Sequence, residues 1–376
     1  MIRLILISIL LLFSLLAIFR APANILWYVA ILVTEFCWIF FLLTGLLVCW
    51  KFGSSQYYTI STMIGLVAMA IYLVPIWQAF RLARTLDDDL EAVLGSKGTT
   101  AFAFRPLQMI TGINAKKVPY SVMTYDKAHE LVLDFYPAAG SGKRPCIVVV
   151  HGGSWAAGDS RQLPELNSEL AKAGYHVASI NYRLAPKHNY PAPLEDVQTA
   201  LDYLTARAPE LNIDTTRFVI LGRSAGGEIA LSAAYTLHDE RIKAVICFYG
   251  PTDMVWGYEN PTSPLVLDSR KIMEEYLGGT LDEKRDLYIH SSATETVTTK
   301  TPPTLLVFAE NDPLVSPRHG NRLSVKLKAQ GIKHFELYLP WGTHGFDYTL
   351  NGPGGQISTY TVKRFLEAVV PVPGEM

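Results

Sequence analysis

One pentapeptide constrains this chain more than any other feature. Gly222-Arg223-Ser224-Ala225-Gly226 follows a short apolar run, residues 218–221, and opens a run of small residues, 225–234. The apolar run reads as a buried strand and the small residues as a closely packed helix. A serine at such a strand-to-helix turn sits on strained backbone, and glycine on both flanks removes the Cβ atoms that would block the chain's close passage. Its Oγ then projects from the sheet edge at a helix N-terminus, where backbone N–H groups favour developing negative charge.

The sequence around this turn repeats strand, loop and helix. Continuous apolar runs fall at residues 146–150, 177–182, 218–221, 244–249, 304–309 and 335–339, and helical patterns at 194–208, 226–237 and 317–330. Strands that are continuously apolar rather than alternating belong to a sheet covered on both faces. The expected class is therefore α/β, with a mostly parallel central sheet flanked by helices. A hairpin, residues 121–125 and 130–136 around Asp126-Lys127-Ala128-His129, precedes it. The chain shows no internal repeat.

Charged residues make up only 18% of the chain, against about 25% in an average soluble domain. The deficit is local: residues 1–80 carry only Arg3, Arg20, Glu35 and Lys51. Apolar runs span residues 4–19, 25–50 and 60–80, and a helix needs about 20 such residues to cross a bilayer. The second and third meet that length and the first falls short of it. Trp27, Tyr28, Trp50, Tyr57, Tyr58 and Trp77 lie near the run ends, as interfacial aromatics do. The organisation expected is a transmembrane helical anchor at 1–84, a polar connector at 85–119 and a catalytic domain at 120–376, hence a multi-pass membrane protein whose partner is the lipid bilayer. The first run also fits a signal peptide ending at Ala21-Pro22-Ala23, a reading that Pro22 and Arg20 oppose. Arg20, Arg81 and Arg84 on one side against Arg3 and Lys51 on the other lean, by one charge, toward a cytoplasmic catalytic domain. Glu35, inside the second run, is either a functional group or a carboxylate turned to the helix bundle or to water. A net charge of −1 gives nucleic acid no electrostatic foothold. Cys37, Cys49, Cys146 and Cys247 lie in apolar runs without metal-ligand spacing and read as buried thiols.

A hydroxyl nucleophile needs a general base, and the base needs an orienting carboxylate. Four histidines follow Ser224 in plausible places: His290, His319, His334 and His344. His344 lies in Gly342-Thr343-His344-Gly345-Phe346, a loop just past the last apolar run, from which an imidazole reaches a nucleophile. His319 and His334 read as surface positions on a helix and a strand. Asp312, in Glu310-Asn311-Asp312-Pro313-Leu314-Val315 after the run 304–309, is the favoured acid. Asp253 is the runner-up, read more readily as a carboxylate bracing a helix N-terminus, and Glu310 is a weaker neighbour. His151-Gly152-Gly153-Ser154-Trp155, directly after the run 146–150, lets backbone amides turn toward a ligand and form an oxyanion hole with the N–H of Ala225. His151 is read as a brace for that loop.

In order along the chain, His151 to Trp155, Gly222 to Gly227, Asp312-Pro313 and His344-Gly345-Phe346 resemble the hormone-sensitive-lipase-like branch of the α/β-hydrolases and its carboxylesterase relatives. Asn181-Tyr182-Arg183-Leu184-Ala185-Pro186 adds to the match, which covers residues 120–370. His151 to Trp155 followed by Gly158-Asp159 also resembles the feruloyl-esterase-like and isoprenylcysteine-methylesterase-like subgroups. The resemblance implies an α/β-hydrolase fold and a serine carboxylic-ester hydrolase working through Ser224, His344 and Asp312. It implies that the amides of Gly153, Ser154 and Ala225 hold the oxyanion, and that no metal or organic cofactor takes part. Ser154 stands where the family pattern has a third glycine, so its side chain narrows the pocket. A small-molecule or lipid-like ester is the expected substrate. Acyl transfer or amide cleavage at the same residues is the alternative, and a non-enzymatic membrane scaffold is opposed by the presence of every site member. Residues 251–303, with Trp256, Tyr258, Tyr276 and Tyr288, are either a wall of the substrate pocket or a surface excursion.

Overall fold

The expected hairpin forms as β1 (Ser121–Asp126) and β2 (Leu131–Tyr136), paired antiparallel. The continuous apolar runs become β3 (Arg144–Val150), β4 (His176–Ile180), β5 (Ile213–Arg223), β6 (Ile242–Phe248), β7 (Thr304–Ala309) and β8 (His334–Leu339). The computed structural model describes residues 1–50, 57–95, 102–112 and 117–372. Its sheet has the order β1-β2-β4-β3-β5-β6-β7-β8. Strands β3 to β8 pair in parallel, and β2 runs antiparallel to β4. Val148 lies level with Ala178 on one side and Ile220 on the other. Residues 145–150 of β3 and all of β7 are buried because helices cover both faces, whereas β8 at the edge alternates half-buried and buried residues.

The helices are α1 (Ile2–Ser14), α2 (Asn24–Glu35), α3 (Cys37–Cys49), α4 (Tyr58–Tyr72), α5 (Val74–Ala83), α6 (Leu86–Leu94) and α7 (Gln108–Thr111) before the sheet. Between its strands lie α8 (Glu165–Lys172), α9 (Ala192–Ala206), α10 (Ala208–Leu211) and α11 (Ala225–Thr236). Then come α12 (Met254–Glu259), α13 (Ser269–Leu277), α14 (Arg285–His290), α15 (Ala293–Thr296), α16 (Arg318–Ala329) and, after β8, α17 (Pro353–Val369). Val148, Val150 and Ile220 face a core with Leu201 of α9, Ile229 of α11 and Leu323 of α16. The alternate residues Ile147, Val149 and Val219 face a second core with Leu170 of α8 and Phe365 of α17.

The N-terminal third departs from three simple spans. Only α4 with α5, continuous over the 26 residues Tyr58–Ala83, is long and apolar enough to cross a bilayer among the described residues. The first run ends as helix at Ala17. The second breaks at Phe36 (φ −117°, ψ 31°), where α2 and α3 meet at 86°, so residues 25–50 are not one straight span. Glu35 at that break turns neither to a helix bundle nor to open water: it is buried against the start of α17. Arg3 is no free flanking charge either. It is buried, and its guanidinium donates to the carbonyls of Leu47 and Val48 at the end of α3 and to Ser61 and Thr62 of α4. Arg20 donates to the Glu310 carbonyl, and Lys51 lies outside the described residues. The flanking-charge count assumed three spans, and with one such helix, or two if the bent pair counts as one span, its assignment of sides is not supported.

The expected boundary at residue 84 is no break in packing. Ala79 and Ala83 of α5, and Leu86, Leu90 and Leu94 of α6, lie in the same core as Ile147 and Phe365. The start of the polar connector, Leu86–Leu94, is thus an amphipathic helix with one leucine face inward, and half-buried Asp87 binds Arg364 of α17 at 2.9 Å. The rest of the connector includes residues 96–101 and 113–116, which lie outside the described residues. Cys37, Cys146 and Cys247 are buried as expected, but Cys49, at the last residue of α3, is exposed.

Candidate active site

Strand β5 ends at Arg223 and α11 begins at Ala225, so Ser224 alone makes the turn, at φ 53° and ψ −123°. That conformation is costly for any residue with a side chain. The glycines make it possible: a Cβ on Gly222 would lie 1.9 Å from the Gly226 carbonyl oxygen, and one on Gly226 would lie 2.3 Å from that of Val150. Ser224 N–H donates to the Phe248 carbonyl of β6 at 2.9 Å, holding the half-buried Oγ above the sheet.

His344, in the loop between β8 and α17, reaches this serine. Its Nε2 lies 3.0 Å from Ser224 Oγ and its Nδ1 lies 2.7 Å from Asp312 Oδ2. A carboxylate only accepts, so Nδ1 carries the proton toward Asp312 and Nε2 is left to accept from the serine hydroxyl. Asp312 is itself held: Oδ1 accepts from the N–H groups of Leu314 (2.8 Å) and Val315 (2.9 Å). Both Asp312 and His344 are buried. The other candidates make no hydrogen bond to Ser224 or His344. Asp253 caps α12 by accepting from Trp256 N–H at 2.9 Å and pairs with Arg322 at 2.7 Å. His290 is exposed. His319, expected at the surface, is buried because its helix α16 turns that side to the sheet, and its Nδ1 accepts from the amides of Thr252 and Asp253. His334 is half-buried, bonded to Ser324 at 3.0 Å.

The loop after β3 is braced on every side but one. His151 is buried, its Nδ1–H donates to its neighbour's carbonyl at 2.7 Å, and its ring stacks on Tyr182 at 4.3 Å. Gly152 N–H donates to Gln162 at 2.7 Å. Ser154 and Trp155 both adopt left-handed backbone, φ 54° and 58°. Among the described residues the amides of Gly153, Ser154 and Ala225 have no protein acceptor.

Several supporting residues were not singled out from the sequence. Glu228, on the first turn of α11, is buried and accepts from Trp155 Nε1 (2.9 Å), Tyr276 (3.0 Å) and Ser232 (2.8 Å). It thereby ties the loop after β3 to the serine helix, and burial raises its carboxyl to about 7. Trp155 stacks flat on Tyr276 at 4.4 Å. Asp347, three residues past His344, accepts from Arg223 Nε and from Tyr249, each at 2.5 Å. Burial, and then Asp347, push the Tyr249 hydroxyl far above its ordinary range. The Tyr249 ring lies 4.4 Å from the imidazole. Arg223 is inside the pentapeptide and Asp347 follows His344-Gly345-Phe346, so both were adjacent to visible motifs. Glu228 directly follows Gly222 to Gly227 in the same way, whereas Tyr249, at the end of an apolar run, carried no signal of its own.

A cavity of about 680 Å³ opens at the serine, lined by Ser154, Ser224, Ala225 and Asp312, a size common for small-molecule sites. Residues 251–303 supply one wall through Trp256, Val266, Leu267, Ile272 and Met273. Arg20, Ala21 and Pro22, from the segment before α2, supply another.

Comparison with known proteins bears on the family and the fold of the chain. Residues 133–327, just over half of the chain, match the family model described as BD-FAE. The "Probable carboxylic ester hydrolase LipM" of Mycobacterium tuberculosis is 27% identical over 245 residues, 61% of this chain and 55% of that protein. Esterase LipC of the same organism is 27% identical over 241 residues, 60% of this chain and 58% of that one. The chain thus spans little more than half the length of these relatives. Among solved structures, the Pyrobaculum calidifontis esterase superposes with a TM-score of 0.59 at 20% identity, covering 77% of this chain and 94% of that one. At that identity the likeness is one of fold, and the fold is that of the α/β-hydrolases.

Proposed function

This chain belongs to the BD-FAE family, and we propose that it is a membrane-associated serine carboxylic-ester hydrolase acting on small or hydrophobic esters. Ser224 Oγ attacks the ester carbonyl while Nε2 of His344 takes its proton. Asp312 holds the imidazole tautomer and stabilises the imidazolium, and the amides of Gly153, Ser154 and Ala225 receive the oxyanion. The intermediate collapses, His344 returns the proton to the leaving alcohol, and the acyl group remains on Ser224. Water activated by His344 then releases the acid. No other group enters the cycle. The observation that carries this reading is the hydrogen-bonded chain from Asp312 through His344 to Ser224, at the edge of a cavity with three unclaimed amides.

Residues 1–84 serve in this reading as the membrane anchor and 120–376 as the catalytic domain, with 85–119 between them. Support comes from the 26-residue helix Tyr58–Ala83 and from the exposed apolar side chains on α1, α3 and α4, among them Ile5, Leu12, Leu46, Met63 and Leu66. Apolar surface of that extent is stable in contact with lipid and unstable in water.

The test is fluorophosphonate labelling of the detergent-solubilised protein, wild type beside Ser224→Ala, followed by turnover of p-nitrophenyl esters of increasing chain length. Labelling and turnover are expected in the wild type only, with kcat lowered on the order of 10⁴-fold or more in the variant. A Ser224→Ala protein that keeps wild-type turnover overturns the assignment.

A further inference from the structure

We propose that α2, drawn from the N-terminal apolar region, is part of the catalytic apparatus: Trp27, Ile31 and Glu35 clamp the loop that carries His344, with Trp27 the positioning residue for that histidine. The inference rests on the hydrolase reading above and adds to it a residue more than 300 positions away in the chain.

Trp27, Ile31 and Glu35 are spaced by four and so lie along one face of α2. Each meets the same loop in turn. Trp27 Nε1–H donates to the His344 carbonyl at 2.9 Å, and its ring stands edge-on to the imidazole at 5.9 Å. Ile31 lies against Gly345: a Cβ there would sit 3.4 Å from Ile31 Cδ1. Glu35 Oε2 accepts from the N–H groups of Gly354 (3.0 Å) and Gly355 (3.4 Å), where α17 begins. The glycines admit it, since a Cβ on Gly352 would fall 2.1 Å from Glu35 Oε2 and one on Gly354 2.7 Å from Oε1. The loop is therefore held from one side by Arg223 and Tyr249 through Asp347, and from the other by α2.

The contacts of this N-terminal segment go to the reacting elements. Arg20 donates to the carbonyl of Glu310, two residues before Asp312. Asn24 bonds the carbonyls of Leu265 and Val266 on the cavity wall. A tether would need none of these. A hydrogen bond to the backbone of the base fixes where the imidazole stands, and misplacement of a catalytic group by about 1 Å lowers rate on the order of 10²-fold. Trp27 touches His344 and is not among the residues lining the cavity, so its loss should act on kcat and leave KM nearly unchanged.

The experiment compares full-length wild type, Trp27→Phe and Trp27→Ala in detergent, reading kcat and KM on a p-nitrophenyl ester, the rate of fluorophosphonate labelling, and the denaturation midpoint. Trp27→Phe keeps a ring and loses the donor. It is expected to lower kcat and labelling rate about fivefold with KM within twofold, as the loss of one hydrogen bond would. Trp27→Ala is expected to lower both by ten- to a hundredfold. Variants that turn over at the wild-type rate, or Trp27→Phe losing activity only through a raised KM or in step with a lowered midpoint, overturn the inference while the hydrolase reading stands. A folded wild type that neither labels nor turns over overturns the hydrolase reading, and this inference with it.

Discussion

Glu228 and His319 are both buried next to the site, and burial moves them in opposite directions: the Glu228 carboxyl up to about 7 and the His319 imidazole down to about 4. For Glu228 the folded state binds a proton that the unfolded state has released. Its contribution is therefore present below the ordinary value of 4.5 and lost as pH rises through 7, a swing on the order of 3 kcal/mol. Glu228→Gln preserves the bonds, since the amide oxygen accepts from Trp155 and Tyr276 and the NH₂ donates to Ser232. That variant is expected to exceed the wild type in denaturation midpoint at pH 8 and to converge on it near pH 5; parallel curves across that range would refute the argument. For His319 the sign reverses. Its neutral ring accepts two backbone amides, so stability is lost as pH falls from 6.5 toward 4. Thermal denaturation of His319→Gln should show a flatter acid limb than the wild type, starting from a lower midpoint at pH 7. Residue roles were legible in unequal measure. Ser224 and the glycines around it are legible because steric demand at a tight turn is local. Trp27 was visible only as an aromatic near the end of an apolar run, because its partner is brought to it by the fold.

At the scale of elements, strands read well because burial on both faces leaves a continuous apolar signature, and the run 304–309 coincides with β7. Strand order is a different matter. Hydropathy does not say that β3 lies between β4 and β5, since that follows from the crossovers and their handedness. The bend at Phe36 was hidden for a related reason: an apolar run reports that a helix is apolar all round, not which way it points. Glu35 marked the place. Its carboxyl oxygen accepts from the N-terminal amides of α17, a helix from the other end of the chain, so it acts as a cap supplied from outside the helix. Glu35→Ala should destabilise by about 1–2 kcal/mol, read as a lowered denaturation midpoint. Glu35→Gln, whose amide oxygen still accepts, should lose less than half as much. Equal losses in the two variants would show that the cap is not what holds α17.

Over the whole molecule, the composition break near residue 81 suggests an anchor joined to an enzyme, yet the two share one interior. Cys37, Ala79, Ala83, Leu86 and Leu90 lie in one core with Val149, Leu305 and Phe365, and Arg20, Ala21 and Pro22 line the cavity. Hydropathy separates the parts because it records the solvent each was built to meet, while packing joins them because the sheet needs cover on both faces. A chain starting at residue 85 would therefore bare one flank of the α6–α17 face and lose a cavity wall, as well as the helices with exposed apolar side chains, α1, α3 and α4. It is expected to be depleted from the detergent-free soluble fraction, or to be recovered there with a much lower denaturation midpoint and at least tenfold lower kcat. The full-length chain is expected to stay with membranes through an alkaline carbonate wash. Recovery of a soluble fragment with the full-length kcat and midpoint would mean that the shared core is dispensable and that anchor and enzyme are separable after all.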